Sequence, residues 1–258
     1  IAVTNGPGLA GSLLTGVSFA KGLALGLNIK IIPINHLEAH IIANLVDNPD
    51  ITFPFLCLLV SGGHTQIWLI NGLDKYKLLG ETRDDAAGEA FDKGARILGL
   101  GYPGGPEIEK CAKDGNSNLI KFPRAFIKNK EIEFSFSGLK TSLLYYMDTF
   151  EDNSKCTLND VAASYQSAII DCLVVKIKLA VELTGVNTIS IAGGVAKNKS
   201  LREAIDKYLY KNKIIFPELK YCTDNAAMIS YLGEKKFKIG RKSNFDFSIK
   251  PNFKDTII

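Results

Sequence analysis

The first 46 residues alternate between two patterns, and that alternation restricts the fold more than any other feature of the chain. Ile1 to Thr4 reads as the end of a strand, Asn5-Gly6-Pro7-Gly8 as a turn, and residues 9–26 as a helix with Leu13, Val17, Phe19, Ala20 and Leu23 among its apolar positions. A second apolar run, Ile31-Ile32-Pro33-Ile34, makes a strand of residues 29–34. A helix over 36–46 follows, with Asn35 placed to cap it. A β-α-β-α order requires an α/β fold with a mainly parallel element in its sheet. Gly11, Gly16 and Gly22 lower the propensity of the first helix and point to another backbone coming close.

The second helix carries two of the three histidines in the chain, His36 and His40. Positions i and i+4 stack on one helical face, so both rings can reach one metal ion. Spacing alone leaves the alternative open that they are ordinary polar residues on a half-buried helix. A zinc-protease helix is excluded, because H-E-x-x-H needs a glutamate where Leu37 stands, and the inverted form fails at Ala39. Glu38 points roughly to the side. Two histidines need a third ligand from elsewhere, and a carboxylate suits best.

With 258 residues the chain can bury a sizeable core, as one large domain or two small ones. No stretch reaches transmembrane length without charge or glycine interruption. Five cysteines, Cys57, Cys111, Cys156, Cys172 and Cys222, are scattered without a C-x-x-C pair, which suits a reducing compartment. The net charge of +4 permits nucleic-acid contact without demanding it.

Residues 48–54 are polar and turn-rich and mark a lobe boundary. Phe55 to Val60 is an apolar strand running into Ser61-Gly62-Gly63-His64-Thr65. Gln66 to Ile70 then resumes a strand, and Tyr76 to Glu81 is a third. The glycine tip lets backbone N–H groups approach an anion, although alone it reads as a plain hairpin turn, with His64 in simple turn hydrogen bonding. It has company. A strand over Val186 to Ile191 leads through Ala192-Gly193-Gly194-Val195 into a helix from about Lys197 to Tyr210, an arrangement that receives phosphate or nucleotide. Tyr102-Pro103-Gly104-Gly105-Pro106 is a third rigid glycine turn, after a helix over Ala87 to Leu98 that carries Asp92. Acids so placed bind ribose hydroxyls. Neither the P-loop nor the dinucleotide fingerprint is present. A short helix follows the polar turn from Ser135 to Lys140. Thr157 to Thr184 is a long helix with a Thr157/Asp160 capping box and a Gly185 stop. Asp224 stands at a helix start, either as a dipole-favoured carboxylate or as the missing ligand. Residues after Arg241 form a polar tail apart from Phe245, Phe247 and Phe253.

The ordered set Asn5-Gly-Pro-Gly8, His36-Leu-Glu-Ala-His40, Leu59-Val-Ser-Gly-Gly-His-Thr65, Asp84-Asp-Ala-Ala-Gly-Glu-Ala-Phe-Asp-Lys93, Tyr102-Pro-Gly-Gly-Pro106, Phe136-Ser-Gly-Leu-Lys-Thr141, Ala192-Gly-Gly-Val-Ala-Lys-Asn198 and Cys222-Thr-Asp-Asn225 closely resembles the tRNA N6-adenosine threonylcarbamoyltransferase family, once called glycoproteases. The resemblance implies a two-lobe actin-like ATPase fold of the ribonuclease-H-like class, with nucleotide in the cleft between lobes. Residues 1–54, completed by 223–258, would form the N-terminal lobe, and 55–222 the C-terminal lobe. It implies that His36, His40 and Asp224 hold one divalent metal, iron ahead of zinc. Leu59, Val60, Ser61, Gly62, Gly63, Asp92, Gly105 and Asn198 match the family's positions for threonylcarbamoyl-adenylate. No catalytic side chain is assigned.

The implied reaction moves threonylcarbamoyl from that adenylate to the exocyclic amine of the adenosine beside the tRNA anticodon, releasing AMP. The implied partners are tRNA, with a catalytically silent paralogue and a small ATPase in bacteria or a kinase-containing complex in archaea and eukaryotes. No membrane is involved, and the setting is cytoplasmic or organellar. Ala39 stands where many members have glycine, which a helix tolerates. The family's opening strands lie upstream of Ile1, which leads us to expect an incomplete N-terminal lobe and a chain not fully active alone. The competing readings are a kinase or ATPase of the same fold and a silent, partner-binding paralogue. The histidine pair argues against the first, and the presence of His36, His40 and Asp224 against the second.

Overall fold

The computed structural model describes residues 1–150, 156–241 and 245–252, so Phe253 of the expected tail lies outside the described residues. The chain divides into two compact units. One comprises Ile1–Phe53, Asn71–Tyr76 and the described residues from Pro217 onward, the other Pro54–Ile70 and Lys77–Phe216.

In the first unit, β1 (Ala2–Gly6) and β2 (Ile32–Asn35) form a two-stranded parallel sheet in register Ala2 to Ile32. α1 (Ala10–Gly26) connects them. It buries Leu13, Val17, Ala20 and Ala24, a stripe with helical spacing. Phe19 and Leu23 lie off that stripe and are exposed, at 72% and 42%. The close backbone expected at the α1 glycines is not found. A Cβ at Gly11, Gly16 or Gly22 would meet nothing within 4 Å among the described residues. Phe245 and Phe247 pack on the Ala20, Ala24, Ile31 cluster, and the Lys21 ammonium donates to both of their carbonyls.

α2 (His36–Asp47) starts where Asn35 predicts, with the Asn35 side chain accepting from Leu37 N and Glu38 N at 2.8 and 3.2 Å. α8 (Ala226–Lys238) packs on α2 and on both strands. It approaches so closely that a Cβ on Gly233 would lie 2.4 Å from that of Ala2.

The second unit is built on a five-stranded sheet in the order β5-β4-β3-β6-β7. Its strands are β3 (Phe55–Val60), β4 (Thr65–Gly72), β5 (Lys75–Glu81), β6 (Thr188–Ala192) and β7 (Lys213–Ile215). β3 pairs antiparallel with β4 and parallel with β6. All six β3 residues are buried, which is why that strand is continuously apolar rather than alternating. The tip of the β4–β5 hairpin, Asn71–Tyr76, groups with the first unit instead of following a boundary at residue 54, because Tyr76 and Asp74 bond to Glu38, Lys236 and Arg241.

α6 (Leu158–Thr184) has the expected capping box and a left-handed Gly185 stop. It contacts α3 (Ala87–Ile97), α4 (Gly104–Ala112) and α5 (Ser137–Asp148). The buried Tyr165 hydroxyl donates to Ala90 O at 2.9 Å. Two expectations change. The rigid turn at 102–106 is the first turn of α4, and the strand β6 leads into a 3-10 turn, Gly194–Lys197, before α7 (Lys199–Tyr208). Among the described residues no helix is long and apolar enough to cross a membrane.

Candidate functional site

Three side chains of the first unit meet at one point. Asp224 Oδ1 lies 3.2 Å from His36 Nε2 and 3.0 Å from His40 Nε2. The rings pack edge to face, 4.7 Å between centroids. Asp224 stands one residue before the α8 N-cap, which is Asn225, whose Oδ1 accepts from Met228 N at 2.9 Å. The capping role thus falls to Asn225, and Asp224 is left to turn to the histidines. Hydrogen bonds from His36 and then His40 hold its carboxyl far below the usual carboxylate range, overcoming the effect of partial burial.

This donor set fits a metal ion. The three ligand atoms lie within 4.8 Å of one another, and no other such group occurs among the described residues. Nitrogen and oxygen ligands at 2.0–2.1 Å from a tetrahedral ion are about 3.3–3.4 Å apart, close to the 3.2 and 3.0 Å between Asp224 Oδ1 and the two Nε2 atoms. The His40 side chain is 5% exposed, His36 23% and Asp224 78%. The histidines are therefore held by the protein while the carboxylate side stays open to a further ligand. His40 Nδ1 is buried without a hydrogen-bond partner among the described residues, so Nε2 is the ring atom with a defined role.

Glu38 does not point to the side, as the sequence suggested, but away from both histidines into the protein. It is fully buried, with Tyr76 Oη donating to Oε1 at 2.8 Å and Lys236 Nζ 2.6 Å from Oε2. Burial raises its carboxyl, and Lys236 and Tyr76 oppose that. Nothing in the α2 sequence reveals these partners, which come from residues 38 and 198 positions further along the chain.

The second unit brings the glycine loops together. Ser61 N donates to His64 O at 2.8 Å and Ser61 Oγ accepts from His64 N at 3.1 Å, closing the tip and leaving Gly62 and Gly63 exposed. Leu59 and Val60 are fully buried in β3, backbone included. Two other glycines press on this loop. Gly193, at φ +91°, would place a Cβ 2.3 Å from Val60 O, and Gly88 of α3 would place one 2.5 Å from Ser61 O. Gly88 escaped the sequence reading, although a glycine in the first turn of a helix is a signal of close approach.

Asp92 Oδ1 accepts from Gly104 N at 2.7 Å and so caps α4, beside the open backbone of Gly105. Asn198 is buried and engaged at both ends of its amide, with Oδ1 accepting from Leu201 N at 2.9 Å and Nδ2 donating to Gln166 Oε1 at 2.8 Å. Glu109 of α4 accepts from Lys199 N, tying α4 to the start of α7. Ser61 to Gly63, Asp92, Gly105 and Asn198 therefore belong to one connected set of loops and helix starts.

The family model for tRNA N6-adenosine threonylcarbamoyltransferase matches residues 1–231. The enzyme of that name from Thermosipho africanus is 49% identical over 98% of this chain and 77% of its own length. The one from Kosmotoga olearia is 51% identical over 97% and 75%. Among solved structures, HypF of T. kodakarensis superposes with a TM-score of 0.63 at 14% identity, over 86% of this chain and 39% of that one. Full-length HypF in a phosphate- and nucleotide-bound form gives 0.64 at 13%, over 84% and 45%. These likenesses show the fold, which is α/β and of the actin-like ATPase type. The motif order, the family match and relatives near half identity over almost the whole chain agree, and the chain belongs to the tRNA N6-adenosine threonylcarbamoyltransferase family.

Proposed function

We propose that the His36–His40–Asp224 cluster holds one divalent ion, iron rather than zinc, and that the chain uses it to transfer threonylcarbamoyl from threonylcarbamoyl-adenylate to the exocyclic amine of the adenosine next to the anticodon. The convergence of two imidazoles and one carboxylate carries this reading. Two histidines and a carboxylate on one side, with the other side open, suit iron(II). When bound, the ion supplies Lewis acidity and a template for the threonylcarbamoyl group.

The other steps fall to the protein. The exposed backbone N–H groups at Gly62 and Gly63, in the tip that Ser61 closes, steady the phosphate. The Gly193 to Asn198 turn holds the adenosine end, with Asn198 fixing the turn through its cap and its bond to Gln166. Asp92 and Gly105 face the ribose. The adenosine amine attacks the carbamoyl carbon, the bond from that carbon to the phosphate oxygen breaks, and AMP leaves with the electron pair while the amine gives up a proton. AMP is already a good leaving group in this mixed anhydride, so positioning and charge stabilisation suffice and no protein nucleophile is needed.

The partners are tRNA and threonylcarbamoyl-adenylate, together with a catalytically silent paralogue and a small ATPase in a bacterial setting, or a kinase-containing complex otherwise. The setting is cytoplasmic. The test is AMP release from the adenylate, with and without tRNA, for the wild-type chain and His36→Ala in the presence of its partners. Dependence on both tRNA and His36 is expected. Release that ignores tRNA and survives His36→Ala contradicts the reading.

A further inference from the structure

The first turn of α2 is gripped from two opposite sides by one stretch of chain. At about 100° per residue, Glu38 points roughly 180° away from the mean direction of His36 and His40. On one side the imidazoles meet Asp224, just before α8. On the other, Glu38 meets Lys236 in the last turn of α8 at 2.6 Å and the Tyr76 hydroxyl at 2.8 Å. Lys236 is itself largely buried and lies 3.4 Å from Asp74, which Arg241 holds at 2.9 Å. Rolling α2 about its axis would pull Glu38 off both partners and carry both Nε2 atoms away from Asp224. Replacing a buried ion pair by apolar groups of similar volume is often neutral or stabilising, so this pair is weak evidence for stability alone.

We propose that Glu38, held by Lys236 and Tyr76, is a positioning residue for the metal centre. It sets the roll of α2 so that His36 and His40 present Nε2 to the same point as Asp224. This rests on the metal reading given above.

The test is a cobalt(II) titration of the metal-stripped chain, followed by visible absorption, with thermal unfolding of each metal-free variant alongside. Glu38→Gln keeps the volume and a partner for Tyr76 but loses the ion pair, Lys236→Met strands the carboxylate, and the double variant removes both charges. Loss of a residue that orients metal ligands costs about 10–100-fold in metal affinity. That loss, with a changed cobalt absorption band, is expected in Glu38→Gln and in the double variant, even where the double variant unfolds at a higher temperature than Lys236→Met. Glu234→Gln, which removes an exposed pair with Lys238 on the same helix, is expected to change neither. Wild-type affinity and spectrum in the double variant would reduce Glu38 to a packing role and overturn the proposal. A wild-type chain that takes up no cobalt would instead overturn the metal reading, and this inference with it.

Discussion

Gly88→Ala tests whether the glycine loop at Ser61 is held by close packing. The new methyl carbon would lie 2.5 Å from Ser61 O and 2.8 Å from both Ser61 C and Gly62 N. Non-bonded carbon contacts settle near about 3.5 Å, so α3 and the loop must separate by roughly 1 Å. The Gly88 N–H to Ser61 O bond, 3.2 Å in the native chain, would then be lost. Overpacking of this kind costs about 1–3 kcal/mol. For a chain of this size, each kcal/mol lowers Tm by about 2–4 °C. Thermal unfolding should show a Tm lower by several degrees, and calorimetric titration with AMP should show weakened affinity, because the displaced loop carries the exposed Gly62 and Gly63 backbone. Gly62→Ala is the comparison for stability, since its methyl group meets nothing within 4 Å among the described residues and Tm should hold. A Gly88→Ala chain with wild-type Tm and wild-type AMP affinity would refute the reasoning.

Gly16→Ala, in the open interior of α1, should raise stability by about 0.5–1 kcal/mol, visible as a higher Tm, because alanine loses less backbone freedom on folding. Asp84→Asn should destabilise the chain in a pH-dependent way. Burial pushes the Asp84 carboxyl up, but bonds from the Ser135 and Ser137 hydroxyls and the Phe136 and Ser137 N–H groups outweigh it and hold it below its ordinary value. A lowered folded-state value stabilises above the unfolded value of about 4 and is lost as pH falls through the folded one. The Tm gap between Asp84→Asn and wild type should therefore be full at neutral pH and close below about pH 4. Binding of tRNA by the chain alone should be weak and should weaken further with added salt, since a net charge of +4 offers few phosphate contacts and those few are electrostatic. Tight, salt-independent binding in a titration would contradict that.

Elements whose signals are local were legible in the sequence. Asn35 caps α2, and Thr157 with Asp160 caps α6, because each cap bonds within three residues of itself. The histidine pair was legible for the same reason. α4 was not, because Gly104, Gly105 and Pro106 read as a turn. The helix forms because Asp92, twelve positions earlier, caps it and α6 packs against it. Pro106 does no harm in the first turn, where no intrahelical N–H bond is lost. The exposure of Phe19 and the burial of Glu38 were equally hidden, since both depend on residues distant in the chain. Asn198 matched a ligand position by motif, yet its side chain holds α7 and Gln166, a role that only the folded neighbourhood reveals.

The central claim is that His36, His40 and Asp224 together hold one ion. Metal content per chain, measured by elemental analysis after reconstitution with iron(II) under reducing conditions, tests it most directly. The account predicts close to one ion per wild-type chain and near-complete loss in His36→Ala, His40→Ala and Asp224→Ala, with folding retained. Stoichiometric metal in all three variants, or none in the wild type, would contradict it.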